Sequence, residues 1–267
     1  MPITAKDIYQ NLEKVRRKAP LVHNITNYVV MNLTANALLA IGASPVMAHA
    51  PEEVEDMVNI ASALVINIGT LSEHWVEAMF KAAHQAKKKS IPIIYDPVGA
   101  GATHYRTRTI RALIQAVPPT IVRGNASEIM ASAGSHVKTK GVESAAATDT
   151  ALASARRISE QHDCVVCVSG ETDYIIDKKG MAMIKNGHAL MPKVTGLGCT
   201  ASALCAAFAA VNPDYFAATT AAMAVMGIAG EIAAEKSQGP GSLQVQFLDT
   251  LFHLTGEEIQ QRLKIAY

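Results

Sequence analysis

Residues 91–105 read IPIIYDPVGAGATHY. A short apolar run, Ile91 to Tyr95, stops at an acid and a proline. A glycine-rich turn follows, and then an amphipathic stretch, Thr107 to Ala116. An apolar run of this length between turn residues reads as a buried strand, and the stretch after it reads as a helix. The same order recurs outward in both directions. Strands are expected at 44–48 (SPVMA), 63–67 (ALVIN), 120–122 (TIV) and 165–169 (VVCVS). Helical patterns are expected at 27–41, 51–62, 73–89 and 143–161. This βα alternation predicts an α/β fold with a mostly parallel central sheet and helices on both faces. Beyond Ser169 the rhythm changes. DYIID (173–177) and MAMI (181–184), joined through KKG, predict an antiparallel hairpin at a sheet edge. The stretch KVTGLGCTASALCAAFAA (193–210) comes next, and three further helices complete the chain. No linker, low-complexity segment or internal repeat interrupts it, so residues 1–267 are expected to form a single domain.

The chain is 49% hydrophobic and 18% charged, which suits a large buried core. A net charge of +1 gives no basic surplus for nucleic acid, and 5% aromatics give no base-stacking surface. The N-terminus, MPITAKDIYQNLEKVRRK, is charged and lacks a signal peptide's apolar segment. No uninterrupted apolar run of membrane-spanning length is read. The richest region, Ala201 to Ala234, is broken at Asn212-Pro213-Asp214 and is expected to be two buried helices. A cytoplasmic protein with no nucleic-acid or membrane partner is expected.

Of the four cysteines, Cys164 and Cys167 form a CxxC pattern. On a strand, residues three apart point to opposite faces, so this pair is expected to be structural. Cys205 is assigned to the core. Cys199 is different. It stands at the mouth of an alanine-rich helix, after a turn made of small residues.

In a parallel sheet, ligands bind beyond the carboxyl ends of the strands. DPVGAGATHYR, RGNASEI, SGETD and NIGTLSE follow four of the expected strands. Asp96 and Glu128, both placed at strand ends, could hold Mg²⁺ beside nucleotide phosphates. Arg123 suits phosphate oxygens, or is merely a surface arginine. Asn125 and Glu128 also fit a helix-capping box. Gly196 and Gly198 allow backbone N–H groups to approach a ligand, and a helix starting near Cys199 would add positive potential: an anion hole. The alternative is a tight turn packed against a neighbour. TGLGCTA matches the G-x-G-x-x-A dinucleotide fingerprint, but no strand follows it, so a nicotinamide or flavin site is not expected. The nine histidines show no ligand spacing. Met47 is either core or a contact for a flat apolar ligand.

HNITNYVVMN, SPVMAHAPEEVEDM, ALVINIGTL, YDPVGAGAT, RGNASEI and VTGLGCTASA, in this order and spacing, resemble the hydroxyethylthiazole kinase family of ribokinase-like kinases. The resemblance spans nearly the whole chain. It implies a three-layer α/β/α fold. It also implies transfer of the γ-phosphoryl group of ATP to the hydroxyl of 5-(2-hydroxyethyl)-4-methylthiazole, in thiamine biosynthesis and salvage. Mg²⁺ and a homotrimer with sites between subunits are implied as well. By motif, Arg123, Ser169 and Asn125 would contact ATP, and Asp96 and Glu128 would serve the metal. Met47 and Gly196 would contact the thiazole, with Asn27 and Gly69 beside them. Gly196, Gly198 and Cys199 would form the catalytic turn.

Ribokinase-like enzymes at large carry aspartate where this chain has Cys199. A thiol ionises near pH ~8.5, and a helix N-terminus lowers that value. Cys199 is therefore expected to orient the hydroxyl and accept its proton late. Kinases of hydroxymethylpyrimidine or pyridoxal, a dehydratase of hydrated nicotinamide nucleotides and a nonenzymatic binding protein are the rival readings. The HNITN and SPVMAHA stretches favour thiazole.

Overall fold

The computed structural model describes residues 2–134 and 145–267, with the backbone alone at 145–147. Its apolar runs assemble into one nine-stranded sheet. In chain order the strands are β1 (Leu21–Ile25), β2 (Ser44–Val46), β3 (Ala63–Asn67), β4 (Ile93–Asp96), β5 (Ile121–Asn125), β6 (Val165–Ser169), β7 (Asp173–Ile176), β8 (Met181–Ile184) and β9 (Ile265–Ala266). Their spatial order is β2-β1-β3-β4-β5-β6-β7-β8-β9. β1 to β6 are parallel, and β7, β8 and β9 continue the sheet antiparallel.

The central strands β3 and β4 are apolar on both faces, and successive residues serve different cores. Val65, Ile94 and Ile121 face one core. Leu64, Ile66, Ile93 and Tyr95 face another. The first face is covered by α1 (Ala5–Lys18), α2 (Met31–Ala40), α8 (Leu197–Ala209), α9 (Tyr215–Glu235), α10 (Pro240–His253) and α11 (Gly256–Arg262). The other face carries α3 (Val54–Ile60), α4 (Glu73–Lys89), α5 (His104–Ala116), α6 (Ala126–Ser132) and α7 (Ala145–His162). This is a three-layer α/β/α arrangement. Cys164 and Cys167 lie in cores on opposite faces, as their spacing required, and Cys205 is buried against Met223.

Two expectations change. Strand β1 was not read, because His23 and Asn24 interrupt its apolar pattern. Both are buried, and the Nε2 atom of His23 hydrogen-bonds the Ala48 carbonyl at 2.8 Å. The β7–β8 hairpin does not lie at the sheet edge, because β9 pairs outside it. The region 201–234 does form two mostly buried helices, α8 and α9; α9, at 21 residues, is long and apolar enough by composition to cross a membrane, but 83% of its most apolar window is buried in the fold. Boundaries also shift. α2 begins at Met31 rather than Asn27, and α5 begins at His104 because Thr103 accepts the Arg106 N–H as its cap. Residues 143 and 144 of the expected helix 143–161 lie outside the described residues.

The small residues of GIAG (227–230) are packing sites. A Cβ on Gly227 would lie 2.6 Å from the Asn186 carbonyl oxygen, whereas one on Gly230 would meet the Sδ of Met191, the far end of a flexible chain. Backbone cannot yield as a methionine can. Gly227→Ala is therefore expected to cost about 1–3 kcal/mol, and Gly230→Ala clearly less. Urea denaturation of the two variants measures the difference.

Candidate active site

The carboxyl ends of β1, β3, β4, β5 and β6 open on one edge of the sheet, and the turn before α8 closes over them. The site is built around Asp96, the last residue of β4, which is fully buried. Its Oδ2 accepts hydrogen bonds from Asn67 Nδ2 at 2.7 Å and Ser202 Oγ at 2.9 Å. Its Oδ1 is buried with no partner. Burial pushes the carboxyl up to about 7; Arg123 and the two hydrogen bonds pull against this, and Glu128 adds to it.

From Asp96 a chain of amides runs to the cysteine. Asn67 ends β3, and its Oδ1 accepts from Asn27 Nδ2 at 3.0 Å and from the Gly69 N–H at 2.9 Å. The same Nδ2 of Asn27 lies 3.4 Å from Cys199 Sγ. A Cβ on Gly69 would stand 2.7 Å from that Nδ2, so only glycine leaves room for this contact. Asn27, Gly69 and Cys199, separated widely in sequence, are thus neighbours. The half-buried thiol does not behave as its place on a helix suggests. Burial, then the nearby Asp96, push it up to about 12 in spite of the Asn27 and Asn67 amides. The direction is opposite to the lowering expected at a helix N-terminus, and its largest cause is desolvation of the thiolate.

Helix α8 starts at Leu197, two residues before Cys199, and Gly196 is its N-cap with φ +88°. Glycine supplies no capping side chain, so none caps the first turn. Gly196 is also packed: a Cβ there would meet Val30 Cγ1 at 2.8 Å. The reading as a tight turn packed against a neighbour therefore holds. Gly198 backs onto Arg123, whose Nη1 would lie 3.0 Å from an added Cβ. Arg123 Nη2 donates to Ser169 Oγ at 2.6 Å, and its Nε is buried without a partner. Burial works against its charge, but Asp96, Asp173 and Glu128 hold its pKa above the ordinary value. It is not a free surface arginine.

Glu128 does not end a strand. It sits in the first turn of α6, where Asn125 and Glu128 form the capping box. Its Oε2 accepts from the Asn125 N–H and its Oε1 from the Gly99 N–H, both at 2.9 Å. The second bond brings the carboxylate against the loop after Asp96. The Asn125 side chain is engaged in the cap, accepting from the Glu128 N–H and Ser127 Oγ. Met47 lies outside the hydrogen-bonded cluster, just past β2. Two residues on, His49 packs against Trp75, and Trp75 packs against Tyr28, the neighbour of Asn27. Among the described residues, no group of three or more His, Cys, Asp or Glu could hold a metal.

Sequence reasoning passed over Asn67, Ser202 and Asp173. Asn67 stood in the strand-end segment NIGTLSE, which was signal enough to find it. Ser202 is one helical turn past Gly198 and carried none. Asp173 is buried and pushed up to about 6 by that burial, with the Gly170 N–H and Arg123 opposing.

Comparison with known proteins shows the family and the fold. The model of the hydroxyethylthiazole kinase family matches residues 12–257. A hydroxyethylthiazole kinase of Syntrophus aciditrophicus is 60% identical, covering 100% of this chain and 99% of its own length. The solved structure of the Pyrococcus horikoshii hydroxyethylthiazole kinase protein has a TM-score of 0.90 at 42% identity, covering 98% of each chain. A ribokinase-like superfamily protein of Enterococcus faecalis shares the fold at 13% identity, with a TM-score of 0.68, covering 96% of this chain and 95% of that one. The chain therefore belongs to the hydroxyethylthiazole kinase family, on a ribokinase-like fold.

Proposed function

We propose that the chain transfers the γ-phosphoryl group of ATP to the hydroxyl of 5-(2-hydroxyethyl)-4-methylthiazole, in thiamine biosynthesis and salvage. The observation that carries this reading is the juxtaposition of Cys199, on an uncapped helix N-terminus, with the Asn27–Asn67–Asp96 chain and Arg123. The acceptor hydroxyl belongs beside Cys199 and Asn27. Gly69 and Gly196 leave space for its ring, and Met47 lies at the margin. The N–H groups of the Gly196–Gly198 turn face the transferred group and stabilise its charge. Arg123 and Ser169 bind the nucleotide phosphates, with Asn125 at the rim of the same strand end.

Asp96 and Glu128 fit Mg²⁺. The ion takes oxygen ligands, commonly one or two carboxylates completed by phosphates and water. The unpartnered Oδ1 of Asp96 is the kind of atom such an ion satisfies. Bound there, Mg²⁺ would neutralise phosphate charge. We read residues 1–267 as one kinase domain acting in the cytoplasm. We place the site at a homotrimer interface, supported by Tyr28 and Val29, which follow Asn27 and are 63% and 67% exposed.

Cys199 orients the hydroxyl as a neutral thiol. A group pushed up to about 12 is protonated at neutral pH and cannot take a proton there. Phosphoryl transfer has a loose transition state that asks little of a base, so the proton leaves late and passes to a phosphoryl oxygen.

Mass spectrometry with Mg·ATP is expected to show thiazole monophosphate with matching ADP. EDTA should abolish it, hydroxymethylpyrimidine and pyridoxal should give little, and the activity should elute with the oligomer on a sizing column. Product from none of these alcohols, in folded protein, would sink the reading. Cys199→Ser is expected to slow turnover modestly, by less than about tenfold, with ATP affinity nearly unchanged. Cys199→Asp supplies a true base and should keep or raise kcat. Inactivity of that variant with the fold intact would remove Cys199 from the acceptor's side. Iodoacetamide labelling of Cys199 should rise steadily with pH up to 10, because the thiolate is scarce below its raised pKa. A plateau near pH 8, seen by peptide mass spectrometry, would instead reveal an activated thiolate.

A further inference from the structure

Helix α5 breaks a local rule. The first turn of a helix favours acids, yet that of α5 has none and carries Arg106 instead. A cation at the positive end of a helix calls for a compensating contact, and such exceptions concentrate at functional positions. Arg106 forms none of the ion pairs found among the described residues. Its guanidinium goes to backbone. Nη2 donates to the Gly69 carbonyl at 2.6 Å, and Nη1 donates to the Val98 carbonyl at 3.3 Å. These two carbonyls belong to different loops, one after β3 and one after β4.

Each loop leads to a different half of the site. The Gly69 loop is held by Asn67 and lies against Asn27, which contacts Cys199. The Val98 loop continues into Gly99, whose N–H donates to Glu128 Oε1. Gly99 has φ +72°, and a Cβ there would collide with Arg106 Nη1. The glycine makes room for the guanidinium. A planar fork holds its N–H donors at a fixed separation and direction, which a compact, freely rotating ammonium does not.

We propose that Arg106 is a positioning residue that couples the acceptor side of the site to its phosphate side by bridging the Gly69 and Val98 carbonyls. It touches neither the reacting atoms nor the nucleotide. It fixes the distance between the loop that seats the alcohol and the loop that sets Glu128, so that occupancy of one half favours the other. This rests on the kinase reading above.

The test is calorimetric titration of the full-length protein with 5-(2-hydroxyethyl)-4-methylthiazole, alone and with Mg²⁺ plus a non-hydrolysable ATP analogue. The wild type is expected to bind the alcohol about tenfold tighter when the nucleotide is present. In Arg106→Gln that factor should fall close to one, while each ligand alone binds within about threefold of wild type, and kcat should drop by up to about 100-fold. Arg106→Lys keeps the charge but loses the rigid fork that sets the spacing of the two carbonyls, so it should restore less than half of the coupling. Gly99→Ala, with Arg106 intact, should reproduce the loss by displacing the guanidinium. Wild-type coupling in Arg106→Lys would overturn the bridge. So would equal weakening of both ligands with the coupling factor preserved, the signature of a merely structural arginine. A wild type that shows no dependence of one ligand on the other also overturns it. Failure of the wild type to phosphorylate or bind the thiazole is a separate result, which strikes the acceptor assignment itself.

Discussion

A carboxylate with no exposed surface and one unsatisfied oxygen is the constraint on which this site turns. Burial of Asp96 disfavours its charge, and Glu128 disfavours it further. The neighbours answer that cost. Asn67 and Ser202 donate to one oxygen, and Arg123 supplies opposite charge. Those partners come from β3, α8 and β5, so holding Asp96 requires the parallel strands to end together and α8 to lie across them. The same group then reaches outward. It helps to keep the Cys199 thiol protonated and Arg123 charged. A strong field inside a dry site is stored ahead of reaction, where it is worth far more than in water.

The scaffold was largely legible in the sequence. Runs such as ALVIN and VVCVS are apolar on both faces, and only a covered parallel sheet needs that pattern; both strands lie within the read boundaries. Strand β1 escaped notice because two of its five residues are polar. His23 and Asn24 give LVHNI the look of a loop, yet their polar atoms are buried inside the fold. Edges were harder still. A two-residue strand such as β9 has no periodicity to detect, and its place is fixed by contacts with β8 from a distant part of the chain.

The site was legible in part. Residues that follow a strand directly, such as Asp96, could be placed by position alone, and Arg123 and Ser169 by their strands. What could not be read was which of them touch. Glu128 lies in the first turn of α6 rather than at a strand end, because the four residues form a capping box, and its second oxygen is held by the Gly99 N–H. The thiol was misjudged for a physical reason. A helix end is visible in a sequence, whereas desolvation depends on what other segments bring to cover it. Ser202 and Arg106 were missed because their roles exist only through partners far away in the chain.

The two ends of the sheet bear on how copies of this chain can meet. At one end β2 has three residues and includes Pro45, which offers no N–H; at the other β9 has two. Neither margin presents the long row of free backbone groups that another chain's strand would need. Growth of the sheet from molecule to molecule is therefore closed off at both sides. Any assembly of this fold must be made side chain to side chain, through helices and the loops at the strand ends, and its specificity lies in surface shape rather than in the repetitive pairing of backbones.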